Sequence, residues 1–256
     1  MTEDSKMMKV YVGTSGYAYK EWKGKFYPEK ISPKEMLRFY SGRLNTVEIN
    51  NTFYRMPSES VLTSWAEQAP GGFVFALKAP QVITHLKKLR NVSEETKYLF
   101  RTVSVLDRKL GPVLFQFPKS FRSDRSALAD FLALIPRDMA SAFEFRSASW
   151  LDDEILDLLR EKRASLCVAD SDENPAHEII RTAPWGYLRL RRSDYTDADL
   201  SEWTERILSQ AWEEAFVFFK HEDEDPARGP GMAMRFQELI DSRVKKAETG
   251  RISKAA

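Results

Sequence analysis

The chain has 256 residues, of which 43% are hydrophobic and 30% charged, the proportions of a globular protein with a substantial core. Its 39 Lys and Arg residues stand against 38 Asp and Glu residues, so the net charge is near zero. This composition excludes collagen-like, coiled-coil and disordered classes, and the charge balance gives no global attraction for nucleic acid or an anionic membrane.

The only cysteine, Cys167, excludes an internal disulfide framework and a cysteine-based zinc cluster. Its apolar surroundings predict a buried structural thiol. Residues 1–9 are polar and lack the apolar core of a signal peptide, and no apolar run reaches the roughly 18 residues of a membrane span. We therefore expect a cytoplasmic protein without a membrane partner.

Short runs rich in β-branched and aromatic residues alternate along the chain with segments whose apolar residues recur at helical spacing. One helical stripe is Leu99, Val103, Leu106 and Leu110, which can bury one helix face against a sheet. Helical linkers in place of tight turns favour parallel strands. The eight predicted strands are Val10–Gly13, Thr46–Asn50, Phe73–Lys78, Val113–Phe117, Ala142–Arg146, Ala164–Asp170, Gly186–Arg191 and Ala215–Lys220.

Eight β/α units at this chain length predict an α/β fold, a single (β/α)8 TIM-type barrel over residues 1–244, followed by a polar tail over residues 245–256. The alternative is an open doubly wound sheet. That fold commonly carries a G-x-G-x-x-G loop, of which Gly13-Thr-Ser-Gly16 is only a partial match.

Several predicted strands carry polar residues with a period of two, opposite apolar residues that would pack on the helices. In a barrel, such polar side chains face the interior near the carboxyl ends of the strands, where active sites lie; this end is called the mouth below. The alternatives are a solvated face of an antiparallel sheet and an ion-pair network without a function. The polar residues late in the strands are Glu48, Asn50, Lys78, Gln116, Glu144, Arg146, Asp170, Arg189, Arg191 and Lys220.

The charged members of this set predict the kind of ligand. Five cations face three carboxylates, and the excess of two positive charges suits a small anionic or sugar-like ligand with a carboxyl or phosphate group. We assign Glu48 or Glu144 as the base and Lys78 as the electrophile or general acid. The substrate-binding set is Asn50, His85, Gln116, Arg146, Asp170, Arg189 and Arg191, with the arginines as an anion clamp.

The two glutamates are predicted to differ in role. Glu144 shares its strand face with Arg146, whose charge would hold the carboxylate ionised. Glu48 has only the neutral Thr46 and Asn50 on its strand face, so burial would raise its pKa toward the range useful for proton transfer.

All three histidines, His85, His177 and His221, follow predicted strands. Their spacing matches no metal-ligand motif, so no metal and no cofactor is predicted. The acidic loop over residues 222–231, with two prolines and two glycines, is predicted to be mobile and to cover part of the mouth.

A second hypothesis comes from another class of protein. The loop over residues 16–28 interleaves aromatic with charged residues, which either cap the core or stack on sugars or bases. With the basic run at Lys87, Lys88 and Arg90, it could form a non-catalytic module that binds a metabolite or nucleic acid. The neutral charge balance disfavours nucleic acid as the partner. The sequence assigns no oligomeric state.

Several segments resemble the YecE-like family, also named domain of unknown function 72. The most specific of them is Val47-Glu-Ile-Asn-Asn-Thr-Phe-Tyr-Arg55 in the second strand. The others are Val12-Gly-Thr-Ser-Gly-Tyr17, Phe26-Tyr-Pro28, Phe75-Ala-Leu-Lys-Ala-Pro80 with Thr84-His85, Phe115-Gln-Phe-Pro118 with Phe121, and Glu144-Phe-Arg146 with Ser149-Trp150.

This resemblance implies a TIM-barrel fold and, at most, a sugar-isomerase-related activity. From the residues themselves, the leading expectation is carboxylate chemistry of the isomerase or glycoside hydrolase kind by Glu48 and Glu144. The sequence departs from the family pattern at Ser147, where histidine is common, and at Lys220-His221-Glu222, where paired asparagines are usual. These departures bear on substrate specificity.

Overall fold

A computed structural model describes residues 8–176, 178–220 and 228–255, with side chains described as far as residue 246. In these ranges strands and helices alternate. The strands are β1 (Lys9–Thr14), β2 (Thr46–Ile49), β3 (Val74–Lys78), β4 (Leu110–Phe117), β5 (Ser141–Phe145), β6 (Ser165–Leu166), β7 (Val168–Asp170), β8 (Trp185–Leu190) and β9 (Glu214–Phe219). The helices are α1 (Met36–Ser41), α2 (Glu59–Gln68), α3 (Ser93–Val103), α4 (Arg125–Leu134), α5 (Asp153–Lys162), α6 (Asp197–Leu208) and α7 (Arg228–Ala255).

The strands pair in parallel in two sheets, with the orders β1-β9-β8-β7 and β2-β3-β4-β5-β6. Strand β1 also lies near β2, and β6 lies near β8, so the two sheets approach each other at both edges. The α/β fold with parallel sheets is therefore as predicted, in a barrel-like arrangement. Closure across the two seams between the sheets stays a prediction.

The seam between β1 and β2 is held by few contacts. The backbone ladder is reduced there to a bridge between Ser15 and Glu48, and the Asn45 side chain accepts from the Val12 N–H at 2.7 Å. Gly13 allows this close approach, since a Cβ at that position would lie 2.0 Å from the carbonyl oxygen of Thr46.

At the seam between β6 and β7, the structure differs from the predicted sixth strand, Ala164–Asp170. The structure splits it at Cys167 into β6 and β7, which belong to different sheets. The buried Cys167 still donates its backbone N–H to the carbonyl of Phe143 at 2.9 Å.

Two groups of buried side chains lie on the opposite faces of the strands, as the alternation predicted. The outer group packs against the helices and includes Val47, Phe75, Phe115, Phe143 and Leu188. The inner group fills the space between the two sheets and includes Tyr11, Ala76, Leu114, Ala142, Cys167, Tyr187 and Phe218. The sheets thus enclose a packed interior beneath the polar residues of the mouth.

The helices begin where local side chains satisfy their first backbone N–H groups. Asp124 accepts from Ala127 at the start of α4, and Asp152 accepts from Ile155 at the start of α5. The last helix, α7, continues through the segment predicted as a polar tail. None of the described helices is both long and apolar enough to cross a membrane.

Candidate functional site

A buried arginine joins the two glutamates of the mouth. Arg189 donates from one terminal nitrogen to Oε2 of Glu144 at 2.6 Å and from the other to Oε1 of Glu48 at 2.9 Å. The side chains of Arg189, Glu48 and Glu144 are exposed by only 2%, 0% and 6%. Strands β2, β5 and β8 therefore meet in one ion triad, which removes the full charge of Arg189 from the binding surface.

Neutral groups complete the coordination of Glu48. Its Oε1 accepts from the Ser15 hydroxyl at 2.7 Å and from Nδ2 of Asn50 at 3.0 Å, and its Oε2 accepts from the Tyr187 hydroxyl at 2.8 Å. With the bond from Arg189, Glu48 accepts four hydrogen bonds, as many as a carboxylate can ordinarily hold.

Glu144 connects the triad to the outer part of the mouth. Its Oε1 accepts from Nε2 of Gln116 at 2.7 Å and from Nε of Arg146 at 3.3 Å. Gln116 in turn accepts from Nζ of Lys78 at 2.7 Å. We call the resulting hydrogen-bonded set the Arg189 network; it consists of Ser15, Glu48, Asn50, Lys78, Gln116, Glu144, Arg146, Tyr187 and Arg189.

The predicted rise in the pKa of Glu48 is wrong, whereas Glu144 is ionised as predicted. Burial alone would raise the pKa of Glu48, but the charge of Arg189 and the bonds from Ser15, Arg189 and Tyr187 hold that pKa below its ordinary value. Burial opposes ionisation of Glu144 too, and Arg189 and Arg146 nevertheless lower its pKa to about 2. Both side chains are ionised at neutral pH, so neither is a proton donor there.

Lys78 is the group of the network whose pKa falls near neutral pH. Partial burial and the positive charge of Arg189 lower it to about 8, although Glu48 and Glu144 oppose the shift. Its Nζ lies 4.3 Å from the ring centroid of Phe53. Lys78 therefore exchanges a proton more readily than an ordinary lysine.

His85 lies close to this amine. Its ring stands edge-on to Phe53 with the centroids 4.8 Å apart, and Nδ1 shares a hydrogen bond of 2.8 Å with the Thr84 hydroxyl. Burial and the charges of Lys78 and Arg146 lower its pKa, which favours the neutral imidazole. His85 can accept a proton at neutral pH.

Together with Arg189, the arginines Arg146 and Arg191 outnumber the two glutamates. Arg146 is exposed and touches the network only through its 3.3 Å contact with Glu144. Arg191 is half-buried, and its guanidinium has no hydrogen bond within the described parts of the chain. Burial and the neighbouring Arg189 and Arg146 lower the pKa of Arg191, so these cations are close enough to repel one another. An anion between Arg146 and Arg191 would relieve that repulsion.

The structure does not bring Asp170 into the network. Its carboxylate binds Arg192 at 2.8 Å, the Tyr195 hydroxyl at 2.7 Å and the backbone N–H of Ala176 at 2.8 Å. On β7 the side chain of Val168 packs in the outer group, and Asp170, two residues further along this strand, lies on the same face. Asp170 is therefore placed to fix the segment after β8.

Other sequence expectations fall partly outside the described residues. His177 and His221 lie outside the described residues, and so does most of the loop over residues 222–231 that is predicted to cover the mouth. The last residues of that predicted loop, from Arg228, belong to α7. Among described residues, no group of three or more His, Cys, Asp or Glu side chains is arranged to hold a metal ion. Sequence reasoning missed Ser15 and Tyr187; the parity of Tyr187 with Arg189 on β8 was the available signal for the latter.

The aromatic loop mainly caps the core. Trp22 and Tyr27 are buried, with exposures of 0% and 1%. Tyr17 differs, because it lines a cleft of about 230 Å³ that also contains Asn50 and Arg55. This cleft adjoins the network through Asn50. A larger groove of about 990 Å³ between α1 and α2 contains no network residue.

Comparisons with known proteins agree with this fold. The family model described as "Protein of unknown function DUF72" matches residues 11–255. The UPF0759 protein YunF of Bacillus subtilis (strain 168) is 27% identical over 149 residues, which are 55% of this chain and 52% of that protein. The chain thus matches about half the length of this curated relative.

Solved structures extend the likeness over nearly the whole chain. A DUF72 family protein from Thermotoga maritima MSB8 has 27% identity and a TM-score of 0.79, with 91% of this chain and 99% of that chain covered. A xylose isomerase-like TIM barrel/4-hydroxyphenylpyruvate dioxygenase fusion protein has 13% identity and a TM-score of 0.51, with 95% and 45% covered. The second likeness concerns the fold alone.

Proposed function

This chain belongs to the DUF72 family of proteins of unknown function, and from that premise we propose that its mouth is an active site for a small anionic, sugar-like metabolite. The proposal treats the two sheets as one closed barrel, whose active site would lie at the carboxyl ends of the strands. Lys78, Arg146 and Arg191 are the residues assigned to this ligand.

One observation supports the proposal most strongly. Arg189 is paired with both Glu48 and Glu144, and the cations of the mouth still outnumber these two carboxylates. The ionised carboxylates of Glu48 and Glu144 both bind Arg189, and Lys78, Arg146 and Arg191 add three further cations. Lys78 binds the neutral Gln116, and Arg146 has one long contact with Glu144. The excess positive charge favours a ligand with a carboxylate or phosphate group.

The protonation states favour proton transfer of the isomerase kind over glycoside hydrolysis. Glycoside hydrolysis by a carboxyl pair needs one protonated carboxylic acid, and the pKa values of Glu48 and Glu144 are both lowered. Lys78, whose pKa is about 8, and the neutral His85 are better suited to move a proton. The glutamates then hold Arg189 and shape the field around the substrate.

Calorimetric titration with inorganic phosphate and with dihydroxyacetone phosphate tests the binding step. We expect both to bind at low ionic strength, and Arg191→Ala to weaken binding about tenfold or more, because a charge-assisted hydrogen bond is lost. Arg90→Ala is the matched control: Arg90 is an exposed arginine paired with Asp124, and its removal should leave the affinity unchanged.

Two results of this titration would contradict the proposal. If neither anion gives a binding signal, the proposal that the mouth binds an anionic ligand is contradicted. Equal affinities of the wild type and Arg191→Ala, together with weaker binding by Arg90→Ala, would indicate that the anion binds at the basic run of Lys87, Lys88 and Arg90. That result would favour the non-catalytic binding module.

A further inference from the structure

Lys78 differs chemically from the other cations of the Arg189 network. Arg146 and Arg189 carry guanidinium groups, which remain charged in proteins, and so does the neighbouring Arg191. Lys78 carries a primary amine, which becomes a nucleophile when it loses its proton. Its position is also constrained, because Gln116 accepts from Nζ at 2.7 Å and the ring of Phe53 lies beside it.

We propose that Lys78 forms an imine with the carbonyl carbon of an anionic keto or aldehyde sugar derivative bound in the mouth. This inference rests on the proposed function and deepens it by assigning a covalent step and a carbonyl-bearing substrate class. The geometry that carries it is an amine held at the end of β3 by Gln116, whose side chain also binds Glu144 of the ion triad.

The surroundings favour the reactive form of the amine. Partial burial and the neighbouring Arg189 lower the pKa of Lys78 to about 8, so roughly a tenth of it is neutral at pH 7. An ordinary lysine, with a pKa of about 10.4, would be neutral about two hundred times less often. Glu48 and Glu144 oppose this lowering, so they would reduce the cost of positive charge on a cationic imine at the same nitrogen.

The step needs no oxidant or reductant. The neutral amine attacks the carbonyl carbon, the C–N bond forms and the carbonyl π bond becomes an alkoxide, which takes up a proton from the nitrogen. The resulting hydroxyl leaves as water when it takes up a second proton from the imidazolium of His85, and the nitrogen keeps one hydrogen in a cationic C=N bond. His85 can accept the proton that the ammonium form releases first and return one to the departing hydroxyl, because its imidazole is neutral.

Arg146 and Arg191 would orient the carbonyl for this attack. On this proposal an anionic group bound by both arginines would bring the carbonyl to Lys78, which is linked through Gln116 to Glu144, the carboxylate that Arg146 also contacts. A neutral ketone lacks this anchor. The inference therefore predicts that imine formation depends on the negative charge of the ligand.

Reductive trapping tests the proposal directly. The full chain is incubated with dihydroxyacetone phosphate and sodium cyanoborohydride, which reduces an imine to a stable secondary amine, and the adduct is located by peptide mass spectrometry. We expect adducts to concentrate on Lys78, with labelling that rises as the pH passes through about 8. Uncharged dihydroxyacetone should label at least about tenfold more slowly, because it lacks the ionic anchor.

Internal and matched controls separate site-directed labelling from general lysine chemistry. Lys97, whose side chain is 70% exposed, reports the background rate in the same sample. Lys78→Arg keeps the positive charge and removes the amine, so it should lose the adduct. Lys87→Arg replaces a lysine outside the Arg189 network that pairs with Glu95, and this variant should keep the adduct on Lys78.

The outcomes distinguish the two proposals. If calorimetry finds anion binding that depends on Arg191 but Lys78 is labelled no faster than Lys97, the imine proposal is overturned and the proposed function stands. If neither anion binds and Lys78 is not labelled, both fail. Equal labelling by the charged and uncharged ketones would also overturn the substrate class inferred here.

Discussion

Replacing Arg189 by methionine is expected to lower the free energy of unfolding by about 3–5 kcal/mol, one of the two largest effects expected in this protein. The variant would leave Glu48 and Glu144 buried without a cation between them. Each carboxylate is exposed by at most 6% and cannot regain water without rearranging the mouth. Urea unfolding followed by circular dichroism measures the change.

Two further variants identify the cause of that loss. Arg235→Met removes an exposed arginine that binds Asp197 with two hydrogen bonds, and it should change stability far less, because solvent screens the pair. The triple variant Glu48→Gln, Glu144→Gln and Arg189→Met removes all three charges together. It should recover most of the stability lost in Arg189→Met, since the penalty comes from unpaired buried charge.

The single glutamate variants follow from the same geometry. Glu48→Gln and Glu144→Gln should both destabilise the protein, each by less than Arg189→Met, because Arg189 keeps one carboxylate in either case. A loss of less than about 1 kcal/mol in Arg189→Met would contradict the role of the triad in folding, since that is the range of exposed pairs.

Acid should unfold the protein within a window set by the lowered pKa values of the two glutamates. The pKa of Glu144 is about 2 in the folded protein against 4.5 for a free glutamate, and that of Glu48 is lowered as well. The resulting stability is fully present above pH 4.5 and is lost as the pH falls toward 2. For Glu144 alone it amounts to something on the order of 3 kcal/mol.

Unfolding free energies measured from pH 6 down to pH 2 check this prediction. Glu144→Gln should flatten the dependence in the acid range, because the group that takes up the proton on unfolding is gone. Glu202→Gln, which replaces an exposed carboxylate on α6, serves as the control and should leave the dependence unchanged. An identical acid dependence in wild type and Glu144→Gln would contradict the ionised triad.

Alternation along the strands predicted much of the network. Gln116, Glu144 and Arg189 each lie two residues beyond a member of the inner group on the same strand, so their convergence follows from a period of two and parallel pairing. Lys78 obeys the same rule after Ala76. Local sequence was sufficient wherever a strand continued without interruption.

The same reasoning was wrong at Asp170 and for the pKa of Glu48, for different physical reasons. The predicted position of Asp170 in the mouth assumes a single continuous strand. The structure divides that segment at Cys167 and pairs the Asp170 carboxylate with Arg192. The pKa of Glu48 depends on Arg189, which is 141 positions away in the sequence. Neighbours on one strand cannot reveal a partner that long-range pairing supplies.

Diffraction from crystals grown with inorganic phosphate tests the central claim most directly, because it locates the anion relative to the Arg189 network. We expect phosphate within hydrogen-bond distance of both Arg146 and Arg191, with Arg189 still bound to Glu48 and Glu144. Phosphate bound only at the basic run of Lys87, Lys88 and Arg90, with no anion in the mouth, would contradict the claim that the surplus charge of the mouth forms the ligand site.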